Sequence, residues 1–200
     1  MPKGRPSGLA SQKSEDTKQL LSDIAYRLFK EQGYDHVGVR EIAAEAGMTT
    51  GAFYYYFKSK ADILNHHAKM KGDWLFFQIP LQLEGKNPLD KIRMFLAQYL
   101  CEIFVEEGWE LCESRMFARY YDKRESSELF HIVRQFCQEA LEQGLFSPDC
   151  PLDEAASDII LVCRGVEYDW CLRQGRYDIH QRMLHLINVT LSHYQQTDAT

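Results

Sequence analysis

Leu20, Leu21, Ile24, Ala25, Leu28 and Phe29 recur at helical spacing on one face. The pattern predicts a helix over 15–32, capped by Ser14, with Glu15 and Asp16 in its first turn and Gly33 just past its end. Ile42, Ala43 and Ala46 mark a short second helix over 39–46, which Gly47 ends. A third follows over 50–56, and a fourth runs from Ser59 or Lys60 to Gln78. Helical periodicity then continues over 88–106, 109–121, 125–143, 152–174 and 178–195, with Pro80, Gly85, Gly108, the stretch GLFSPDCP and Gly175 as punctuation. No strand-like alternation and no internal repeat interrupts it. The expected fold is all-α: a small N-terminal bundle over 14–60 and a larger C-terminal bundle over 61–200, preceded by a flexible basic arm over 1–13.

One stretch strains this pattern. Phe53, Tyr54, Tyr55, Tyr56 and Phe57 are five consecutive aromatics. Successive helical side chains point about 100° apart, so the five sweep the whole circumference and cannot all be buried. Phe53 and Phe57 share a face and belong to the core, with Tyr54 partly beside them. Tyr55 and Tyr56 then point outward, with Thr50 and Ala52.

The surrounding residues, VREIAAEAGMTTGAFYYYF, describe a short helix, a tight turn at Gly47 and a second short helix, the helix-turn-helix arrangement. Glycine takes the positive φ of such a turn at no steric cost. Thr49 is placed to cap the second helix. In this motif the second helix enters the DNA major groove N-terminal end first. A tyrosine hydroxyl donates to a phosphate oxygen, a threonine meets a base edge, and an alanine meets a thymine methyl. Arg40, Lys58 and Lys60 stand at the rim as phosphate contacts, with Gly51 in the first turn.

Charge sharpens the picture. The net charge of −6 argues against nucleic acid, but its distribution does not. Residues 1–72 hold eleven Lys and Arg against eight Asp and Glu, a net charge of +3; the remainder hold twelve against twenty-one, a net charge of −9. A basic front and an acidic back suggest different partners. No apolar run is long enough to cross a bilayer, and no secretory signal opens the chain, so a cytoplasmic protein is expected. Six cysteines without close pairs fit neither a disulfide framework nor a zinc pattern. His66 and His67 are adjacent and splay apart, so no metal site is expected there. No nucleophile elbow or phosphate-binding glycine loop occurs, and neither catalysis nor a cofactor is expected.

Over residues 20–64 the chain resembles the tetracycline-repressor (TetR) family of bacterial regulators. The resemblance rests on Ala25, Phe29, Gly33, Tyr34, Ile42, Ala43, Ala46, Gly47, Gly51, Tyr54, Tyr55, Phe57, Lys60 and Leu64. It implies a homodimeric repressor released from double-stranded DNA by a small effector. It further implies that Tyr55 and Lys60 contact phosphates, and that Thr50, Ala52 and Tyr56 lie at bases. Two positions depart from the family pattern: Gly38 stands where Ser or Thr is usual, and Tyr56 where His is frequent. In the arm, KGRPSG offers Arg5 as a minor-groove hook.

The resemblance places an effector pocket among the C-terminal helices. Trp74, Tyr99, Met116, Tyr120, Phe136 and Trp170 are the apolar candidates, with His67, Arg115 and Glu167 as polar anchors. Each is also an ordinary core candidate. The aromatic content points to an apolar or aromatic effector. The last two helices are expected to form the dimer, through Val162 and Val166 on one and Met183, Leu184, Ile187 and Leu191 on the other. Two other readings stay open: an activator built on the same module, and an all-α binding protein or enzyme with a vestigial DNA module.

Overall fold

The structure, a computed structural model, describes residues 8–117 and 123–195; within the helices the side chains of 8–11, 65, 68–69, 115–117 and 123–127 are not described. All regular structure among the described residues is helical, apart from an isolated antiparallel bridge between Phe146 and Gln195. The chain divides into two compact units, Met1–Met70 and Lys71–Thr200. The division falls inside the fourth helix, not at its start.

The first unit contains α1 (Gly8–Gln32), α2 (Val39–Glu45), α3 (Thr50–Tyr56) and the start of α4 (Lys60–Phe77). α1 begins before the expected cap. Ser14 lies inside the helix, and the arm expected over 1–13 is helical from Gly8. The reason is local: no proline lies between Pro6 and the end of the helix, and Leu9, Ala10, Gln12 and Lys13 all favour helix. Gly33, at φ +86°, ends α1 and donates its N–H to the Phe29 carbonyl at 2.9 Å. Leu21, Ala25, Leu28 and Phe29 of α1 close with Val37, Ile42, Ala43, Phe53, Phe57, Ile63 and Leu64 into one buried core.

In the second unit, α5 (Ile79–Gln82) was not expected. Pro80 sits in its first turn, where the missing N–H costs nothing, so the proline starts a helix here instead of only ending one. α6 (Pro88–Arg93), capped by the Asn87 side chain, runs through π-helical turns at Met94–Leu100 into α7 (Cys101–Glu107). His180 Nδ1 donates to the Ala97 carbonyl of those turns at 2.8 Å. α8 (Trp109–Phe117), α9 (Lys123–Glu142), α10 (Leu152–Leu172) and α11 (Ile179–Tyr194) complete the unit. α10 packs against α8, α9 and α11. Its inner face carries Ala155, Ala156, Ile159, Cys163, Val166, Trp170 and Cys171. α11 answers with Ile179, Met183, Ile187, Leu191 and Tyr194. Lys91 of α6 reaches Glu139 of α9 at 2.6 Å, a nearly buried pair that fixes those two helices together.

Candidate nucleic-acid interface and effector region

The turn between α2 and α3 is built by its backbone. Gly47 takes φ +67° and donates to the Ala44 carbonyl at 3.0 Å, and the Met48 N–H donates to Ala43 at 2.8 Å. Ala43 is buried beneath it, small enough to let the chain turn closely. Gly38 precedes α2 and supplies no side-chain cap. Thr49 does cap α3: its Oγ1 accepts from the Ala52 N–H at 3.1 Å.

The five aromatics separate by face. Phe53 and Phe57 are buried, with ring centroids 6.1 Å apart. Tyr55 is 81% exposed, and its ring meets Tyr56, which is half-buried, edge-on at 5.0 Å. Tyr54 is 54% exposed, further out than its expected place beside the core. Thr50 and Ala52 are half-buried, and Arg40, Thr49, Gly51 and Lys58 are exposed. A Cβ placed on Gly51 meets only Thr49 Oγ1, at 3.8 Å, and its φ is not positive. Nothing inside the fold therefore requires glycine there.

Lys60 behaves differently from its rim placement. Its ammonium turns inward, donating to the Val37 carbonyl at 3.1 Å and to the Tyr34 carbonyl, and lies 4.1 Å from the centre of the Tyr34 ring. Burial pushes its pKa down, with Asp35 pulling the other way. Two of its three N–H groups thus hold the loop between α1 and α2. The sequence reading missed this because the two carbonyls come from backbone that periodicity does not locate.

The acids of the unit are also arranged. Glu45 of α2 pairs with Arg27 of α1, and Glu41 accepts from Gln32 at 2.8 Å. Both carboxylates of α2 are thereby held by α1, while Arg40 stays free in solvent. Asp62 accepts from the Lys58 N–H at 2.9 Å and donates its own N–H to Ser59 Oγ at 3.1 Å, a reciprocal cap that starts α4. The surface around α3 keeps its cations and has its nearby anions engaged.

The effector candidates scatter. His67 lies in the first unit, its ring stacked on Tyr26 with centroids 3.9 Å apart and 14° between the planes. Phe136 is core, edge-on to Phe95 at 5.9 Å. Trp170 is core too, its Nε1 donating to the Tyr177 carbonyl at 3.1 Å and its ring packed 3.4 Å from where a Gly175 Cβ would stand. Glu167 is buried near the thiols of Cys101 and Cys163. Only Trp74 and Tyr99 meet each other, edge-on at 6.3 Å, and Trp74 is partly open to solvent. Arg5 and Tyr120 lie outside the described residues, as do the side chains of Arg115 and Met116. A groove of about 770 Å³ opens elsewhere, where the end of α10 meets the start of α11, between Asp169 and His185. None of the expected effector residues lines it.

Four of the six expected dimer residues, Val166, Met183, Ile187 and Leu191, lie buried within their own chain. Met183, Ile187 and Leu191 are fully buried in one chain, and Val166 nearly so. Val162 is half-buried, and Leu184 is partly open beside Asn188, which accepts from Arg93 of α6. Periodicity found the face that α11 buries, and that face meets its own chain. The outward face of α10 is a different set: Leu161, Gly165, Tyr168 and Leu172, at i, i+4, i+7 and i+11, all exposed. Val189 of α11 is exposed as well.

Five of the six cysteines are buried and all six are free of disulfides. Burial pushes Cys101 and Cys137 up to about 12, and Cys163 upward as well. Among the described residues no cluster of His, Cys, Asp or Glu has metal-binding geometry, and no helix is long and apolar enough to cross a membrane.

A first unit of this kind, with a capped second helix after a glycine turn, defines a helix-turn-helix DNA-binding module, and the regular structure described in the second unit is helical. Residues 21–66 match the family described as "Bacterial regulatory proteins, tetR family". The chain is 24% identical over 197 residues to the HTH-type transcriptional regulator AcrR of Shigella flexneri, covering 92% of this chain and 91% of that one. It is 25% identical over 143 residues to the HTH-type transcriptional repressor KstR2 of Mycobacterium tuberculosis, covering 66% of this chain and 70% of the relative. The crystal structure of Thermus thermophilus FadR, a TetR-family repressor in complex with lauroyl-CoA, shares the fold at a TM-score of 0.70 and 17% identity, covering 92% and 98% of the two chains. The chain thus carries a DNA-binding domain of the TetR family and is similar over most of its length to TetR-family transcriptional regulators.

Proposed function

We propose that the chain is a homodimeric repressor that leaves a two-fold symmetric operator when a small apolar or aromatic effector binds its second unit. The observation that carries the DNA-binding reading is α3 itself. Its inner face is satisfied by Phe53 and Phe57, and its outer face offers Tyr55 to solvent beside an uncluttered, Thr49-capped N-terminus. In this reading Tyr55, Lys58 and Arg40 contact phosphates, and Thr50, Ala52 and Tyr56 face bases, with Thr49 and Gly51 closest to the DNA backbone. Arg5 enters the adjacent minor groove. Lys60 holds the fold of the unit and does not contact DNA.

Two copies pair through the outward face of α10, because its apolar stripe stands in water with no other cover among the described residues. A dimer reads half-sites about one helical turn apart or a multiple of it. The relatives' names support repression, and the lauroyl-CoA complex of the FadR structure supports an effector with a large apolar part. Trp74 and Tyr99 are the pair assigned to greet it. The effector releases DNA only if it prefers one conformation of the dimer over the other. No reaction, cofactor or membrane takes part, and the protein acts in the cytoplasm.

Selection of bound sequences from a random duplex pool at near-physiological salt tests this. An inverted repeat is expected. A single unrepeated site would remove the dimer, and no enrichment by effector-free protein refolded from denaturant would remove the DNA-binding reading.

A further inference from the structure

The groove at the end of α10 has no assigned occupant. It is lined by Leu172, Arg173, Arg176, Tyr177, Arg182 and His185, among others. Its carboxylates are engaged: Asp169 holds Arg173 at 3.0 Å, and Asp178 caps α11 by accepting from the Gln181 N–H at 3.1 Å. Arg176 reaches only the Gln174 amide oxygen, at 3.1 Å, and neither Arg176 nor Arg182 has a carboxylate partner among the described residues. This end of α10 therefore carries cations in search of a counter-charge.

The other end of α10 is acidic. Asp153 and Glu154 lie in its first turn, both exposed. Asp153 pairs with Arg134 at 2.5 Å, while Glu154 has no cationic partner among the described residues. Between the two ends the outward face is symmetric about its middle. Ser157 with Leu172, and Leu161 with Tyr168, are mirror positions about a point beside Gly165; Glu154 lies one turn before Ser157, and Arg176 follows in the turn after the helix ends at Leu172. Gly165 is exposed, and a Cβ there meets nothing within 4 Å of its own chain. A glycine in mid-helix is disfavoured against alanine. Its use is close approach by another backbone.

We propose that the groove is the socket for the acidic first turn of α10 from a second copy. The two α10 helices cross antiparallel at Gly165, and Glu154 of each copy enters beside Arg176 and Arg182 of the other. The inference rests on the homodimer reading and adds its register. It makes the surface self-complementary, as a two-fold interface must be: each contact occurs twice. It also explains why a chain of net charge −6 associates with itself, since the pairing sets acid against base at both ends.

Sedimentation equilibrium on the full chain tests this with two charge-reversed variants, Glu154→Arg and Arg176→Glu combined with Arg182→Glu. Each alone places like charges across both symmetric contacts and is expected to weaken dimerisation at least tenfold at low salt. Mixed in equal amounts, they restore opposite charges at both contacts, so a heterodimer near wild-type affinity is expected. Rescue on mixing excludes misfolding as the cause of the single losses. Gly165→Cys is expected to give a disulfide-linked dimer on mild oxidation, because a residue on a two-fold axis meets its own copy. Charge variants that dimerise like wild type, or a dimer in which Gly165→Cys does not cross-link, overturn the register and leave the homodimer standing. A wild-type chain that stays monomeric at every concentration overturns the homodimer and the register together.

Discussion

α3 and α10 both turn large side chains to solvent, and they do so with different chemistry. α3 offers Tyr55, a ring with a hydroxyl that water and a phosphate oxygen satisfy equally well. α10 offers Leu161, 64% exposed, and Leu172, 56% exposed, which carry no polar atom. Leaving apolar area in water costs about 25 cal/mol per Å². The first display is stable in water; the second is stabilised by an apolar cover, which the proposed dimer supplies. Cations surround α3, while α10 carries opposite charges at its two ends. In the proposed reading, one chain separates a surface for DNA from a surface for itself by the polarity of what it exposes.

The sharpest contrast lies within α3. Phe53→Ala empties a fully buried site and is expected to cost about 3–5 kcal/mol of stability. Tyr55→Ala, two positions on, is expected to stay within about 0.5 kcal/mol of wild type, as exposed substitutions do. Urea unfolding measures both. DNA affinity at fixed salt is expected to fall for Tyr55→Ala, and a variant that binds as tightly as wild type would sink the outward reading of α3.

The same contrast on the other surface is smaller. Leu161→Arg puts a charge where the proposed interface is dry and is expected to cost dimerisation about 2–4 kcal/mol, the range of an interface hot spot. The folded chain keeps its thermal midpoint when measured as a monomer. Met183→Ala is the counterpart: it is expected to destabilise the chain by about 2–5 kcal/mol, because Met183 is buried within it. Sedimentation and thermal unfolding of the two variants separate the surfaces. Should Met183→Ala dissociate a still-stable chain, the assignment of faces is inverted.

These pairs show what the sequence made legible. Around α3 the pattern sufficed, because five adjacent rings on a helix must face all ways, and only Phe53 and Phe57 share the core side. In α11 the same periodicity misled. It identifies the buried face but cannot say whether the covering body is the same chain or another, so Met183, Ile187 and Leu191 were assigned to a partner they do not meet. The outward stripe of α10 was passed over because Arg164 and Asp169 interrupt it in sequence, though not on the surface. The π-helical turns at Met94–Leu100 left no pattern at all, since one extra residue per turn shifts a face without changing composition. Lys60 was misplaced for a related reason: its partners are the Tyr34 and Val37 carbonyls, and backbone acceptors are invisible in a list of side chains.

Lys60 and Lys58 sharpen the DNA surface further. Lys60→Met strips donors from two partly buried carbonyls and is expected to cost the first unit about 1–3 kcal/mol. The slope of log affinity against log salt is expected to stay as it is. Lys58→Ala should do the opposite, leaving stability alone and flattening that slope by about 1, the loss of one phosphate contact. A flattened slope in Lys60→Met would return that side chain to the phosphates.

The smallest expected effect is the most discriminating. Gly51 has an ordinary helical φ and room for a Cβ, so Gly51→Ala meets no strain within the protein. Helix propensity predicts a gain of up to about 1 kcal/mol in stability. In the proposed reading, glycine in the first turn of α3 lets that helix approach DNA closely. Gly51→Ala is therefore expected to raise the unfolding midpoint slightly and to weaken operator binding. The two readouts moving in opposite directions are something neither a packing defect nor a lost charge produces. A variant that gains stability and keeps its affinity would show that the first turn of α3 stands clear of DNA, and would shift the contacts toward Tyr55 and Tyr56.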